Sequence, residues 1–151
     1  LGVEVNFEAP IVVKDVPVLL RGTVDRLELR GGKLSVVDLK TGRRPPTRAE
    51  VAEHTQLGVY QLAARLGAFD SLAPGIREVA EPSLLHLRHG GALPERQFQP
   101  VLPEGPSWLT EKLEQAVEIL QRGTFEAREG PQCAWCAFGS SCPAINPGGL
   151  E

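Results

Sequence analysis

A turn signal near the middle of the chain constrains the fold more than any other feature. Gly31-Gly32 separates a β-rich run over residues 17–30 from a second β-rich run over residues 33–40. Two glycines between such runs are typical of a tight hairpin turn, which makes the flanking strands antiparallel neighbours. Residues 2–8 alternate between apolar and polar side chains and predict a third strand. We therefore expect a β-meander at the centre of the fold.

Helix and strand signals follow one another in the rest of the chain. Thr47 and Glu50 fit a capping box, in which a hydroxyl and a carboxylate bond the first free N–H groups of a helix. The first predicted helix is over 48–66, with an apolar stripe at Val51, Val59, Leu62 and Leu66. Strands are predicted over 83–88 and 95–99, paired across His89-Gly90-Gly91. A second helix is predicted over 107–121 and ends at Gly123, with an apolar stripe at Leu109, Leu113, Val117 and Leu120. This order predicts an α/β fold with a small mixed sheet flanked by helices.

Length and composition indicate one ordinary domain followed by a short tail. The chain has 151 residues, 42% of them hydrophobic and 23% charged, which is enough for one core. It has no run of about 18 apolar residues and no secretory signal, so we expect a cytoplasmic protein with no membrane partner. It also has no Met, so we expect a piece of a longer protein. We divide it into a core over 1–128, a cysteine-rich tail over 129–144, and a terminal tail or cloning remnant over 145–151.

Two acids and a lysine stand where a buried strand has little structural use for them. Asp38 and Lys40 are two residues apart in Val-Val-Asp-Leu-Lys, so they lie on the same face of a strand. The hairpin lays the strand that carries Asp25 against the strand that carries Asp38. Two carboxylates this close repel each other unless a divalent cation lies between them. A lysine beside such a cation can orient an attacking water and stabilise charge on a phosphate, which suits phosphodiester hydrolysis.

The same residues also have a purely structural interpretation. Asp25 and Lys40 can form an ordinary cross-strand ion pair while Asp38 ends a strand, and the Asp-x-Lys pattern alone does not decide between the two. Gln56 and Tyr60 lie four residues apart on one helical face. They are at the margin of the apolar stripe, where a helix can reach a cleft at the end of the sheet. They too can be half-buried packing residues.

The three cysteines lie close together near the end of the chain. Cys133, Cys136 and Cys142 have the spacing C-x2-C-x5-C. An odd number at this spacing does not indicate a disulfide framework, and in a reducing compartment such cysteines usually bind metal. A tetrahedral zinc site or an iron–sulfur cubane needs four ligands, and the chain offers three cysteines. Zinc, an iron–sulfur cluster, and three free or partly oxidised thiols all remain open at this point.

Three stretches together resemble the successive motifs of a known nuclease family. They are Gly22-Thr23-Val24-Asp25-Arg26, Val37-Asp38-Leu39-Lys40-Thr41-Gly42 and Gln56-Leu57-Gly58-Val59-Tyr60. Their order and separation are similar to those of RecB-like nucleases in the PD-(D/E)xK superfamily, over residues 3–144. The resemblance implies a restriction-endonuclease-like core whose first helix, bearing a metal-binding His, lies upstream of this chain.

The resemblance assigns roles to the motif residues. The implied catalytic site consists of five side chains from the three motifs: Asp25, Asp38, Lys40, Gln56 and Tyr60. Of these, Asp25 and Asp38 bind the metal together with the backbone carbonyl of Leu39, and Lys40 is catalytic. The implied cofactor is Mg²⁺ or Mn²⁺, and the implied substrate is DNA.

The resemblance extends to the cysteine tail. AddB-type and CRISPR-associated RecB-like nucleases carry one Cys before the nuclease motifs and three after them, and the four hold a [4Fe–4S] cluster. By this resemblance, Cys133, Cys136 and Cys142 are cluster ligands in the full-length protein, with zinc as the alternative. The implied partner, besides DNA, is a helicase domain or subunit.

The leading functional hypothesis is a metal-dependent DNA exonuclease domain of a helicase–nuclease complex in double-strand-break repair; the piece alone can be inactive. A non-catalytic DNA-binding or scaffolding module with a metal-binding tail is the alternative. A simple metal-binding interaction domain would leave the Asp-x-Lys strand unexplained.

The net charge of −3 is not typical of a nucleic-acid binder, but Arg43, Arg44 and Arg48 follow the Asp-x-Lys motif and are predicted to contact DNA. His54 lies near the predicted nuclease helix, where it can contact DNA, but it matches no motif and is interpreted as a surface residue.

Overall fold

The computed structural model describes residues 1–88, 91 and 93–146. The chain divides into two compact units, Leu1–Gln115 and Ala116–Glu151. The strands are β1 (Gly2–Val13), β2 (Val16–Arg30), β3 (Lys33–Lys40), β4 (Ser83–His86) and β5 (Glu95–Phe98), and the helices are α1 (Arg48–Ala52), α2 (Thr55–Arg65) and α3 (Trp108–Arg122). Two short 3-10 turns follow at Pro131–Trp135 and Gly139–Ser141.

The five strands form one mixed sheet in sequence order. β1, β2 and β3 are antiparallel neighbours, β3 and β4 run parallel, and β5 returns antiparallel beside β4. Gly31 and Gly32 have φ angles of 55° and 78°, and a two-residue hairpin turn with positive φ at both positions is the one that favours glycine. The predicted meander, hairpin and α/β fold class are thereby confirmed.

The core of the first unit lies between the sheet and α2. Phe7 of β1 makes edge contacts with Tyr60 of α2 and with Phe69, each at 5.8 Å between ring centroids. Gly58 of α2 lies so close to Trp108 that a Cβ there would be 2.6 Å from the indole ring. A larger residue at position 58 would therefore push α2 away from the start of α3.

The helix predicted over 48–66 is two helices, and its predicted apolar stripe holds at Val51 and in part at Val59 but is wrong at Leu66. α1 ends at Ala52 with Glu53 (φ −117°) as its C-cap, and α2 begins at Thr55 with His54 as its N-cap. The break shifts the helical phase, so the buried face of α2 contains Leu57, Tyr60, Gln61, Ala63 and Ala64. Leu66, expected inside, is 44% exposed.

Other predicted features are found with small changes. The capping box of Thr47 and Glu50 is present, and Gly123 follows α3 with φ of 65°. In α3, Leu109 and Val117 are buried but Leu120 is 66% exposed, so the predicted stripe is wrong at that position. The predicted turn at His89-Gly90-Gly91 and the tail over 145–151 fall partly outside the described residues. No helix within the described ranges is long and apolar enough to cross a membrane.

Candidate active site

An irregularity in β2 brings Asp25 to the end of β3. Val24 and Leu27 are both fully buried although they are three residues apart, so the two-residue alternation of the strand is broken between them. Glu4, the residue of β1 that lies opposite Asp25, has a φ angle of 51°. Here the Asp25 Oδ2 atom accepts a hydrogen bond of 2.7 Å from the backbone N–H of Leu39.

Asp38 is a buried carboxylate with an incompletely satisfied oxygen. The residue is 2% exposed. The Lys40 ammonium lies 2.7 Å from its Oδ2 atom, yet Oδ2 has no partner in hydrogen-bond geometry among the described residues. The ion pair with Lys40 balances the charge of Oδ2, and no hydrogen-bond donor among the described residues is aligned with its lone pairs. A buried polar atom in this state is costly unless a further group binds it.

A chain of hydrogen bonds runs from Lys40 back to β2. Lys40 Nζ donates to Gln56 Oε1 at 2.9 Å, and Gln56 Nε2 donates to the Tyr60 hydroxyl at 2.8 Å. That hydroxyl donates to the carbonyl of Thr23 at 2.7 Å. Because Thr23 is two residues before Asp25, the chain connects the Lys40 side of the site to the strand that carries Asp25.

Tyr60 is held in its neutral, donating form. Burial raises the pKa of the Tyr60 hydroxyl, the hydrogen bond from Gln56 lowers it in part, and the nearby carboxylates of Asp38 and Asp25 raise it again. A neutral phenol has one O–H to donate, and the carbonyl of Thr23 accepts this hydrogen bond. The Gln56 amide is therefore oriented, since its NH₂ faces Tyr60 and its oxygen faces Lys40.

The donor set fits a hard divalent cation such as Mg²⁺. Mg²⁺ is usually bound by one or two carboxylates, with waters and phosphate oxygens in its other positions. Asp25 within β2 and Asp38 near the end of β3 supply two carboxylates from adjacent strands, and the Oδ2 atom of Asp38, held only by its ion pair with Lys40, can bind a cation. Within the described residues no group of three or more His, Cys, Asp or Glu side chains could hold a metal. The fit therefore depends on a metal that keeps several non-protein ligands.

A cleft opens beside Lys40 and runs toward the start of α2. Its volume is about 560 Å³, and its polar lining comes from Lys40, Arg44, Thr47, Glu50, His54 and His86. Of the three arginines predicted to contact DNA, Arg44 lines this cleft. Arg43 and Arg48 are exposed but are not among the cleft residues.

Two glutamines and two histidines around the cleft were not predicted. Gln97 Nε2 donates to the carbonyl of Pro46 at 3.0 Å, and its Oε1 lies 2.9 Å from His86 Nε2. Gln99, 3% exposed, donates to the carbonyls of Val51 and His54 at 3.0 Å. The two glutamines give no local signal, because the backbone carbonyls to which they donate are 45 to 51 residues away.

His54 is half-buried and caps α2, and it stays accessible because it also lines the cleft. Its Nδ1 atom accepts a long hydrogen bond of 3.5 Å from the Leu57 N–H. Burial lowers the pKa of His54, as does the charge of Lys40, while Asp38 opposes this effect and Lys112 adds to it. The imidazole is therefore neutral at pH 7.

The cysteine tail, described by itself, holds three free thiols. Cys136 is exposed, and Cys133 and Cys142 are half-buried. The Cys133 Sγ atom accepts a hydrogen bond of 3.2 Å from the Gly130 N–H. In the described part of the chain the three thiols do not form a metal-binding group, so the tail as placed here does not fit a cluster.

The fold and the site together define a class of proteins, the restriction-endonuclease-like α/β proteins. Its features here are a mixed sheet with flanking helices and an Asp-x-Lys pair at the end of a central strand. The family model of the PD-(D/E)XK nuclease superfamily matches residues 1–143, and the chain belongs to this superfamily. No curated protein sequence matches significantly. Among solved structures, the crystal structure of SSO0001 is similar with 16% identity and a TM-score of 0.49, covering 95% of this chain and 60% of that one. The chain thus spans less than two thirds of that protein.

Superfamily membership gives the class of activity. PD-(D/E)XK proteins are nucleases that typically use divalent metal ions.

Proposed function

We propose that the protein is a Mg²⁺-dependent DNA exonuclease of the RecB type. The observation that carries the proposal is the buried Asp38 carboxylate, whose Oδ2 atom is 2.7 Å from Lys40 Nζ and otherwise uncommitted among the described residues. A carboxylate that served only structure would be expected to have its lone pairs satisfied by hydrogen bonds. A carboxylate oxygen held only by an ion pair to a lysine suits a site that receives a cation and a phosphate.

Asp25, Asp38 and the backbone carbonyl of Leu39 are the proposed metal ligands. A bound Mg²⁺ would supply a more acidic water and neutralise charge on the phosphate. Asp25 also accepts the Leu39 N–H, which holds the β2 and β3 ends together. In this proposal both carboxylates are fixed by strand pairing before the substrate arrives, so little reorganisation is needed at the moment of reaction.

Lys40 is proposed to act on the scissile phosphate and the attacking water. An ammonium has three N–H bonds. Gln56 accepts one of them, and the others remain for the Asp38 side and for the substrate. Donation to an oxygen that gains negative charge in the transition state lowers the barrier more than it strengthens substrate binding.

Gln56 and Tyr60 are proposed to position Lys40 rather than to react. The hydroxyl of Tyr60 is fixed by Thr23 and orients Gln56, which in turn accepts from the lysine. Loss of either side chain would leave the ammonium free to rotate. Small errors in the position of a catalytic group are costly because proximity and orientation supply much of the rate.

The finer assignments are supported by the motif resemblance. They include a helicase domain or subunit as partner, a role in double-strand-break repair and a cytoplasmic location. The proposed nuclease core is residues 1–128. The exposed Arg43 and Arg48, together with Arg44, are proposed to contact the DNA backbone.

In the full-length protein, the tail over 129–144 is proposed to bind a [4Fe–4S] cluster with a fourth ligand beyond the three cysteines, and zinc is the alternative. The C-x2-C-x5-C spacing supports this. Anaerobic reconstitution with iron and sulfide should then give a brown protein with one cluster. Stoichiometric zinc in a colourless protein would replace the iron–sulfur assignment and leave the nuclease proposal intact.

Degradation of end-labelled linear DNA tests the central proposal. We expect the linear duplex to be shortened in Mg²⁺ or Mn²⁺ and left intact in EDTA, while a covalently closed circle of the same sequence survives both conditions. Cleavage of the closed circle would exclude an exonuclease. DNA binding without any metal-dependent cleavage would favour the non-catalytic DNA-binding module instead.

A further inference from the structure

The cleft beside Lys40 has more nitrogen donors than the proposed hydrolysis uses. Lys40 and Arg44 are cationic, and two imidazoles, His54 and His86, also line it. The carboxylate in the lining, Glu50, is already engaged, since its Oε2 atom accepts from the backbone N–H of Thr47 at 2.6 Å and from the Thr47 hydroxyl at 2.8 Å. Those hydrogen bonds lower the pKa of Glu50. The cleft therefore favours an anion.

The imidazole of His54 is oriented with its N–H away from the helix. Nδ1 accepts from the Leu57 N–H, so in the neutral ring the proton is on Nε2. Nε2 has no partner among the described residues, and His54 lines the cleft. The backbone is also fixed, because the His54 carbonyl accepts from Gln99 Nε2 and from the Gly58 N–H, both at 3.0 Å.

The opposite wall of the cleft is fixed without help from a substrate. Gln97 bonds the carbonyl of Pro46 and the ring of His86. Pro46 is two residues after Arg44, so the loop that carries Arg44 is tied to β5. Two prolines in a row restrict the backbone of this loop further. A donor on a rigid wall loses less entropy on binding than one on a mobile loop.

We infer that this cleft binds a phosphodiester group of the DNA strand, adjacent to the scissile one, through the guanidinium of Arg44 and the Nε2–H of His54. The inference rests on the proposed function, because it takes the strand to pass Lys40. It assigns His54 a role in substrate positioning. Arg44 can bind two phosphate oxygens at once, and His54 adds a neutral donor from the start of α2.

Binding of the dinucleotide d(TpT) in EDTA tests the inference without any catalysis. The ring proton resonances of His54 should shift during an NMR titration with d(TpT), and thymidine, which has no phosphate, should leave them in place. Arg44→Gln and His54→Asn should each weaken binding about tenfold, the usual effect of losing one hydrogen bond to a charged group. Asn at position 54 keeps a side-chain oxygen for the Leu57 N–H, so the helix cap is retained.

Arg21→Gln is the matched control, because it removes one positive charge from an exposed arginine outside this cleft. Its d(TpT) affinity should stay within twofold of the wild-type value. Equal weakening by Arg21→Gln and Arg44→Gln, an unchanged affinity in His54→Asn, or an equal shift with thymidine would each overturn the inference. Binding as expected in a protein without nuclease activity would refute the proposed function alone, and DNA cleavage without d(TpT) binding would refute the cleft site alone.

Discussion

The end of the β2–β3 hairpin and the cysteine tail both carry reactive side chains at short spacing, but different forces hold them. Asp38 is 2% exposed, and Asp25 and Lys40 are hydrogen-bonded to groups 14 and 16 residues away. In the tail, the described hydrogen bonds of the cysteines are to groups within four residues. Trp135 and Phe138 are 79% and 75% exposed. Reactive side chains beside a core are positioned by packing. Reactive side chains on an exposed segment are brought together only when their ligand binds.

Lys40→Ala should have the largest effect. Removing a donor that acts on developing charge should lower the cleavage rate about 10²–10³-fold, while DNA affinity changes little. Single-turnover cleavage and equilibrium binding to the same labelled duplex measure the two quantities. Lys33→Ala, at the other end of β3 in an exposed ion pair with Glu78, is the control and should cleave normally. A Lys40→Ala protein that cleaves at the wild-type rate would make Lys40 a structural partner of Asp38.

Asp38→Asn should remove the stabilisation that Mg²⁺ gives to the folded protein. A ligand that binds only the folded state at about 100 times its dissociation constant adds about 2.7 kcal/mol to the free energy of unfolding. Urea denaturation in Mg²⁺ and in EDTA should show this difference in the wild type and lose it in the variant. Asp15→Asn is the control, since Asp15 is exposed in a turn with φ of 61°, which Asn also adopts readily. A variant that still gains stability from Mg²⁺ would place the metal elsewhere.

Tyr60→Phe should have a smaller, mixed effect. It leaves the carbonyl of Thr23 and the amide of Gln56 without their partner, which should cost about 1 kcal/mol of folding stability and slow cleavage less than Lys40→Ala does. Gln56→Ala separates the effect on cleavage from the effect on stability. Gln56 is exposed, and its removal keeps the hydrogen bond from Tyr60 to the carbonyl of Thr23. It should slow cleavage with little change in stability. Normal cleavage in both variants would contradict a positioning role.

The strands and the hairpin could be predicted because their signals are local. Alternating side chains and Gly31-Gly32 specify β2 and β3 within a few residues, and the two-residue period of β3 places Asp38 and Lys40 on one face. The break between α1 and α2 could not be predicted. It depends on Gln99, which satisfies carbonyls that the break leaves free, and this contact spans more than 40 residues. The position of Asp25 near Leu39 and the contact of Gln97 with Pro46 could not be predicted either, because both depend on contacts between residues that are distant in the sequence.

Replacing all three cysteines by serine should have the smallest effect while no metal is bound. The thiols are exposed or half-buried and form no disulfide, so in the presence of a chelator the free energy of unfolding should change by less than about 0.5 kcal/mol. Val117→Ala, at a site 5% exposed in the same unit, is the positive control and should cost about 2 kcal/mol. After anaerobic addition of iron and sulfide, the wild type should gain visible absorbance and the serine variant should not. A loss above 1 kcal/mol in chelator would mean that the thiols already stabilise the tail without metal, and the contrast between the two regions would fail.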